Sequence, residues 1–171
     1  MKPSIWHRLD VLARDLSPFA LTFLLLLINA IPFHLPGFAQ VAPLLPLIGI
    51  YFWAVYRPDL MPSWAVFFIG LLHDFLAGLP VGVSALVFLL VQAAAIAQRD
   101  FFFGKSFVIV WFGFGIVAAG ALSIEWISLS ALSGVLVDAR SAFYQYAITV
   151  ALFPFLAWLF TRWRHAFLMV D

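Results

Sequence analysis

The sequence predicts an all-α integral membrane protein, a bundle of six transmembrane helices, and three observations support this fold class. Hydrophobic residues make up 65% of the 171 residues and charged residues only 10%, too few to cover a soluble fold with a polar surface. The apolar residues form continuous runs close to the roughly 17 to 20 residues that a helix needs to cross a bilayer. The runs do not alternate polar with apolar residues, as the strands of a membrane barrel would.

Residues 1–16 are expected to form a cytoplasmic, interfacial amphipathic helix. The apolar residues of this segment recur at the spacing of one helix face: Ile5, Leu9, Leu12 and Leu16. Ser17 and Pro18 then form a helix-start signal, with serine as the N-cap and proline at the first helical position. This signal predicts a first transmembrane span that begins at Ser17 and ends near Pro32.

Five further apolar runs predict the remaining spans. They cover about residues 44–56, 62–78, 83–97, 107–126 and 142–160. The transmembrane domain is therefore expected at residues 17–163, with a short cytoplasmic tail at residues 164–171.

The basic residues predict the orientation of the spans. Eight of the nine fall on one side of the membrane when the spans alternate in direction: Lys2, Arg8, Arg14, Arg57, Arg99, Lys105, Arg162 and Arg164. Because short cytoplasmic segments are enriched in Lys and Arg, this side is expected to be the cytoplasm and to hold both termini. Aromatic residues near the same ends, Trp53 among them, are expected to lie at the membrane interface.

Several classes of function are disfavoured by the sequence. The net charge of +1 and the scattered basic residues do not indicate a nucleic-acid partner. The chain has no cysteine, and it shows no phosphate-binding glycine loop, convergent Ser/His/Asp set or HExxH spacing. We therefore expect no catalytic residue, no cofactor and no metal site.

The third run carries an acid inside an otherwise apolar segment. Gly70, Asp74 and Gly78 recur at intervals of four, so they are expected to share one helix face that packs closely against protein. Two interpretations of Asp74 stay open. It is either a functional polar contact to a partner helix or a hydrogen-bonded acid that fixes packing inside the bundle. His73 lies about 100° around the helix from Asp74, so the two are not expected to converge on one ligand.

Glu125 is a second acid near the membrane, toward the outer end of the fifth span. One interpretation is that it faces Arg140 or a small-molecule site. The other is that its carboxylate extends to the headgroup level, as long polar side chains near helix ends commonly do.

Three short motifs resemble the MreD family of rod shape-determining proteins. They are Arg57-Pro58-Asp59, Gly70-Leu-Leu-His-Asp74 and Gly78-Leu-Pro-Val-Gly82. The resemblance implies six spans and cytoplasmic termini. It also implies that the motif positions serve packing or partner binding, without a catalytic role: Gly70, Asp74, Gly78, Gly82, Arg57 and Asp59.

The resemblance implies a bacterial inner-membrane scaffold of the machinery that synthesises peptidoglycan of the lateral wall. The implied partner is MreC, a protein with a single membrane helix, and through it the MreB filament, RodA and its penicillin-binding protein. The family is also similar in fold to the substrate-binding subunits of energy-coupling-factor transporters. This similarity leaves a rival hypothesis open, a small-molecule-binding membrane subunit with a polar cavity lined by Glu125, His34 and Gln145.

Overall fold

The computed structural model describes residues 5–31 and 42–168, and the regular structure within these residues is helical. The described part of the chain contains seven α-helices: α1 (Ile5–Ala30), α2 (Leu45–Tyr56), α3 (Ser63–Ala77), α4 (Val83–Ala97), α5 (Arg99–Phe102), α6 (Phe107–Ser133) and α7 (Ala139–Trp163). A 3₁₀ turn (Pro58–Leu60) joins α2 to α3, and a π-helical turn (Arg164–Leu168) follows α7. The helical class predicted from the sequence is confirmed.

The helices fall into two length classes. Three of those described, α1, α6 and α7 with its π-helical turn, are long and apolar enough to cross a membrane. The apolar helices α2, α3 and α4 have 12, 15 and 15 residues. Fifteen residues extend about 22 Å, less than the roughly 30 Å of a hydrocarbon core. Where the ends of the short helices are buried, their free backbone groups need partners within the protein.

Helix α2 lies at the centre of the bundle, in contact with α1, α4 and α7. Its aromatic side chains are buried: Tyr51, Phe52 and Trp53 are each at most 1% exposed. The ring of Tyr51 meets that of Phe153 edge-on at 5.8 Å between centroids, and Trp53 packs against Phe160 at 5.6 Å. The expectation that Trp53 lies at the membrane interface is wrong, because the neighbouring helices cover α2 on every side.

The start of α2 donates hydrogen bonds to side chains of two other helices. The backbone N–H of Leu44 donates to Oγ1 of Thr149 on α7 at 2.9 Å. The N–H of Leu45 donates to Oδ1 of Asn29 on α1 at 3.2 Å. These side chains replace the N-cap that the local sequence lacks, because Leu44 offers no side-chain acceptor.

Helix α1 differs from the expected pair of segments. A single helix runs through Ser17 and Pro18, so the predicted helix start at Ser17 is wrong. Pro18 has no N–H to donate to the carbonyl of Arg14 four residues earlier. The hydroxyl of Ser17 donates to that carbonyl instead, at 2.7 Å. This bond satisfies the carbonyl that proline leaves free and allows the helix to continue.

The last two helices are longer than expected. Helix α6 continues seven residues beyond Trp126 to Ser133, and α7 begins at Ala139. Asp138 is the N-cap of α7, and its Oδ1 accepts a hydrogen bond from the N–H of Arg140 at 3.0 Å. Apart from the four-residue α5, each helix runs opposite to the helix before it, so Arg57, Arg99 and the end of α7 lie at one end of the bundle, here called the basic end. The turns after α3 and α6 lie at the far end.

Replacement of Thr149 by valine tests the capping of α2. Thr149→Val keeps the shape of the side chain but leaves the buried N–H of Leu44 without an acceptor, which costs about 1–3 kcal/mol. We expect a lower midpoint of thermal unfolding in detergent. Thr161→Val on the same helix is the matched control, because Thr161 has no side-chain hydrogen bond among the described residues. Equal loss in both variants would contradict the capping role.

Candidate functional site

Helix α3 approaches α4 closely at Gly70. A Cβ atom built on Gly70 would lie 2.7 Å from the backbone nitrogen of Ala85 on α4, a distance that real Cβ atoms do not adopt. A side chain at position 70 would therefore push α3 and α4 apart. Gly70 has the close-packing role that its place in the motif predicts.

Gly78 and Gly82 have a different role from Gly70. Gly78 ends α3 with a φ of 67°, and Gly82 precedes α4 with a φ of 105°. A Cβ atom at either glycine would meet nothing within 4 Å. The prediction that Gly78 belongs to a close-packing face with Gly70 is wrong. Both residues serve the turn, because their left-handed backbone conformation is unfavourable for residues with a side chain.

Asp74 caps helix α4 from the end of helix α3. Its side chain is fully buried. Oδ2 accepts a hydrogen bond from the N–H of Gly82 at 2.9 Å, and Oδ1 accepts one from the N–H of Ser84 at 3.1 Å. A carboxylate at this place satisfies the free N–H groups of α4 and interacts favourably with the positive end of its dipole. Of the two interpretations of Asp74, the structure therefore supports the packing role.

His73 contacts Ser84, the α4 residue that also donates to Asp74. Its Nδ1 lies 2.9 Å from Oγ of Ser84, and its ring packs against Phe88 at 5.6 Å between centroids. His73 and Asp74 contact different atoms of Ser84, and the expectation that they do not converge on one ligand stays a prediction. Ser84 offers its backbone N–H to Asp74 and its hydroxyl to His73, so two neighbouring α3 residues reach one α4 residue although they point in different directions.

Glu125 lies inside the bundle instead of at the headgroup level. The side chain is buried, and its Oε2 has no hydrogen-bond partner among the described residues. It lies close enough to Asp74 for the two carboxyl groups to interact electrostatically. The interpretations of Glu125 as a partner of Arg140 and as an exposed interfacial acid are both wrong, because its side chain is buried and forms no ion pair with Arg140 among the described residues.

Arg57 and Asp59 lie at the basic end, at the opposite end of α3 from Asp74. Nη2 of Arg57 donates to Oδ2 of Asp59 at 3.2 Å. Partial burial raises the pKa of the Asp59 carboxyl, but the hydrogen bonds and positive charge of Arg57, with the charge of Arg99, outweigh it and hold this pKa below its usual value. The six motif positions therefore form two separate sites.

One polar contact near this end was not expected from the sequence. The buried Nε2 of Gln92 on α4 donates to the carbonyl of Met61 at 2.6 Å. Gln92 is a polar residue within the apolar run of α4, and this was the signal that could have identified it.

Two neighbouring cavities open between α6 and α7, with volumes of about 260 and 420 Å³. Both are lined mainly by apolar side chains and share Ala119 and Tyr146. The rival hypothesis of a small-molecule carrier requires a polar cavity lined by Glu125, His34 and Gln145. Neither cavity includes Glu125 or Gln145, and His34 lies outside the described residues.

The chemistry of these groups is that of structural hydrogen bonding. Within residues 5–31 and 42–168, no group of three or more His, Asp or Glu side chains is placed to hold a metal ion. The contacts of His73 and Asp74 with Ser84 join the end of α3 to the start of α4. The arrangement is suited to fixing the angle and separation of two helices.

The model of the MreD family, rod shape-determining protein MreD, matches residues 12–164 of the chain. Neither the search of curated proteins nor the search of solved structures gives a match.

The variant Gly70→Ala tests the close approach of α3 and α4. The added methyl group would meet the backbone of Ala85, so we expect overpacking to destabilise the fold by about 1–3 kcal/mol. Gly120→Ala on α6 is the control, because a Cβ atom there has no neighbour within 4 Å. Thermal unfolding of both purified variants measures the difference, and an unchanged Gly70→Ala would contradict the packing role.

The variant Asp74→Leu tests the cap of α4. It leaves the N–H groups of Gly82 and Ser84 without acceptors, and each such loss costs about 1–3 kcal/mol. We expect little folded protein from the membrane fraction. Asp74→Asn retains one acceptor oxygen and should lose less stability.

Glu125→Gln is the matched control for the acid at position 74. Oε2 of Glu125 makes no hydrogen bond that the substitution could remove, so folded yield by size-exclusion chromatography should stay close to that of the unmodified protein. Similar losses for Asp74→Leu and Glu125→Gln would show that the loss of a buried carboxyl group, and not the loss of the cap, lowers the folded yield.

Proposed function

The chain belongs to the MreD family of rod shape-determining proteins, and on that premise we propose that it is a non-catalytic membrane scaffold of the cell-elongation machinery. A role in determining rod shape follows from the family. The observation that carries the proposal is the extent of the match, which includes α2 to α7 and most of α1. The scaffold would act in the synthesis of lateral-wall peptidoglycan by holding other proteins in place.

We propose that the helices cross the bacterial inner membrane six times, with α2, α3 and α4 as short spans and both termini in the cytoplasm. The basic end carries Arg57, Arg99 and Lys105, whereas Arg140 lies at the far end. This distribution supports a cytoplasmic basic end, because Lys and Arg are enriched in cytoplasmic segments. The likeness in fold to substrate-binding subunits of energy-coupling-factor transporters stays a prediction.

The α3–α4 junction has an internal role in the proposed scaffold. Gly70 and Asp74 are both turned toward α4, so they set the position of one helix against another. A partner helix could not reach either residue without separating α3 from α4. We therefore assign these residues to the shape of the scaffold, and place the partner elsewhere.

We propose that the single membrane helix of an MreC-like partner packs in the groove between α6 and α7. Gly115 and Ala119 are the small residues that line this groove, while Phe112 and Ile116 beside them are 71% and 74% exposed. Helices in lipid associate where small residues allow their backbones to approach and neighbouring large side chains interlock. Through this partner the scaffold would connect to the MreB filament, RodA and its penicillin-binding protein.

Recovery of the partner with an affinity-tagged chain tests this assignment. Ala119→Leu fills the groove, so we expect at least a severalfold loss of the co-purified MreC-like protein. Ala93→Leu, at an exposed alanine on α4 that does not line the groove, should recover the partner as well as the unmodified chain does.

Two negative results have different meanings. Failure of the unmodified chain to recover the MreC-like protein would contradict the scaffold proposal itself. Equal recovery by the unmodified chain and by Ala119→Leu would leave the scaffold in place and exclude the α6–α7 groove.

A further inference from the structure

The side of the bundle formed by α3 and α4 has a short apolar length. Each of these helices has 15 residues, which extend about 22 Å along the helix axis. Large apolar side chains on both helices are exposed, and we call them the short face: Phe67, Phe68, Phe75, Leu76, Leu86 and Leu90. In a bundle that spans a membrane, an exposed apolar face of this kind contacts lipid.

Polar groups mark the basic end of the short face. The side chain of Asp59, which precedes α3, is 61% exposed, and Arg99 and Asp100 follow the end of α4. Charged groups are costly inside hydrocarbon, so these residues lie at or beyond the headgroup level. Trp64, in the first turn of α3, is 70% exposed, as is typical of the boundary between acyl chains and headgroups. The hydrocarbon next to α3 therefore ends near the first turn of this helix.

The turn between α3 and α4 marks the other end of the short face. Gly78, Pro80 and Val81 of this turn are exposed, Val81 by 75%. The backbone N–H of Val81 donates to no acceptor within the described part of the chain. Irregular backbone exposed to lipid does not occur within hydrocarbon, because its polar groups would lack partners there. This turn therefore also lies at the headgroup level, about 22 Å from the first turn of α3.

Helix α6 presents a much longer apolar surface. Its 27 residues include one charged residue, Glu125, and that side chain is buried. Exposed apolar side chains occur along its whole length, and we call them the long face: Val108, Phe112, Ile116, Ile127 and Leu132. From Val108 to Leu132 the helix extends about 36 Å, enough to cross the roughly 30 Å of a hydrocarbon core with some tilt. One molecule therefore has two faces that match different hydrocarbon thicknesses.

We propose that the bilayer is locally thinned where it contacts the short face, to about 22 Å of hydrocarbon in place of roughly 30 Å. This inference rests on the proposed orientation, in which α3 and α4 cross the membrane. Both ends of α3 must reach polar surroundings, and a bilayer accommodates a short hydrophobic length by becoming thinner beside it. Mismatch of this kind also sorts membrane proteins by the length of their spans. The short face therefore favours neighbours whose own membrane spans are short.

Electron paramagnetic resonance of single nitroxide labels tests the local thickness. The chain has no cysteine, so one introduced cysteine directs the label to one place. Trp64→Cys and Val81→Cys label the two ends of the short face, and Ile116→Cys labels the long face. The full chain is placed in dioleoyl phosphatidylcholine vesicles in which some lipids carry nickel on their headgroups. Because nickel relaxes only nearby nitroxides, we expect relaxation about threefold stronger or more at Trp64 and Val81 than at Ile116.

The matched control is Ile124→Cys on α6, at an exposed side chain. The neighbouring Glu125 interacts electrostatically with Asp74, so Ile124 lies at about the same height as the far end of α3. It precedes the end of α6 at Ser133 by about 14 Å of helix, so a bilayer of full thickness covers it with hydrocarbon. We expect its relaxation to stay close to that at Ile116. Equal relaxation of the labels at Val81 and Ile124 would overturn local thinning.

A soluble nickel complex distinguishes lipid headgroups from water at the α3–α4 turn. Relaxation of the Val81 label by nickel on the lipid headgroups supports thinning. Relaxation of this label by the soluble complex alone would show a water-filled recess above the turn and would overturn the proposal.

The orientation of α3 is measured separately, with a maleimide that does not cross membranes. Reaction of Trp64→Cys and Val81→Cys from opposite sides of the membrane supports the six-span proposal, and reaction of both from one side contradicts it. Reaction from opposite sides, without relaxation of the Val81 label by headgroup nickel, would leave the six spans in place and overturn thinning alone.

Discussion

The hydrogen bonds that Asp74 accepts from the start of α4 meet a constraint that governs the rest of the structure. A backbone N–H buried inside the protein finds no water, so each buried helix end needs an acceptor within the protein. Asp74 provides it for Gly82 and Ser84. The acid is accommodated because its oxygens complete a helix end that would otherwise remain unpaired.

The same constraint is met elsewhere with other side chains. Asn29 and Thr149 accept hydrogen bonds from the start of α2, and the hydroxyl of Ser17 donates to the carbonyl that Pro18 leaves free. In each case a small polar group serves a backbone atom and not another side chain. These groups allow short helices to begin, and a long helix to contain a proline, inside an apolar bundle. Asn29, Thr149 and Ser17 are therefore structural residues.

Two pairs of helices show how packing separates the interior of the bundle from its surface. Gly70 brings α3 and α4 together so closely that no side chain fits at that position. Between α6 and α7, Tyr146 donates to the carbonyl of Gly115 at 3.0 Å and Trp111 donates to that of Val150 at 2.9 Å. These large side chains bridge the two helices while a groove stays open beside them. The first pair is a fixed element of the fold, and the second offers a surface.

The sequence by itself determined the helical membrane class, the bounds of α2, α3 and α4 to within one residue, and the motifs that resemble the family. Hydropathy, proline and glycine act locally, so these features can be read along the chain. Only the tertiary structure decided that Asp74 caps α4, that Gly78 serves a turn, that Glu125 faces inward and that α1 is continuous. These outcomes depend on which atoms of distant helices lie next to each residue, because in lipid a polar group is placed by the partner it finds in three dimensions.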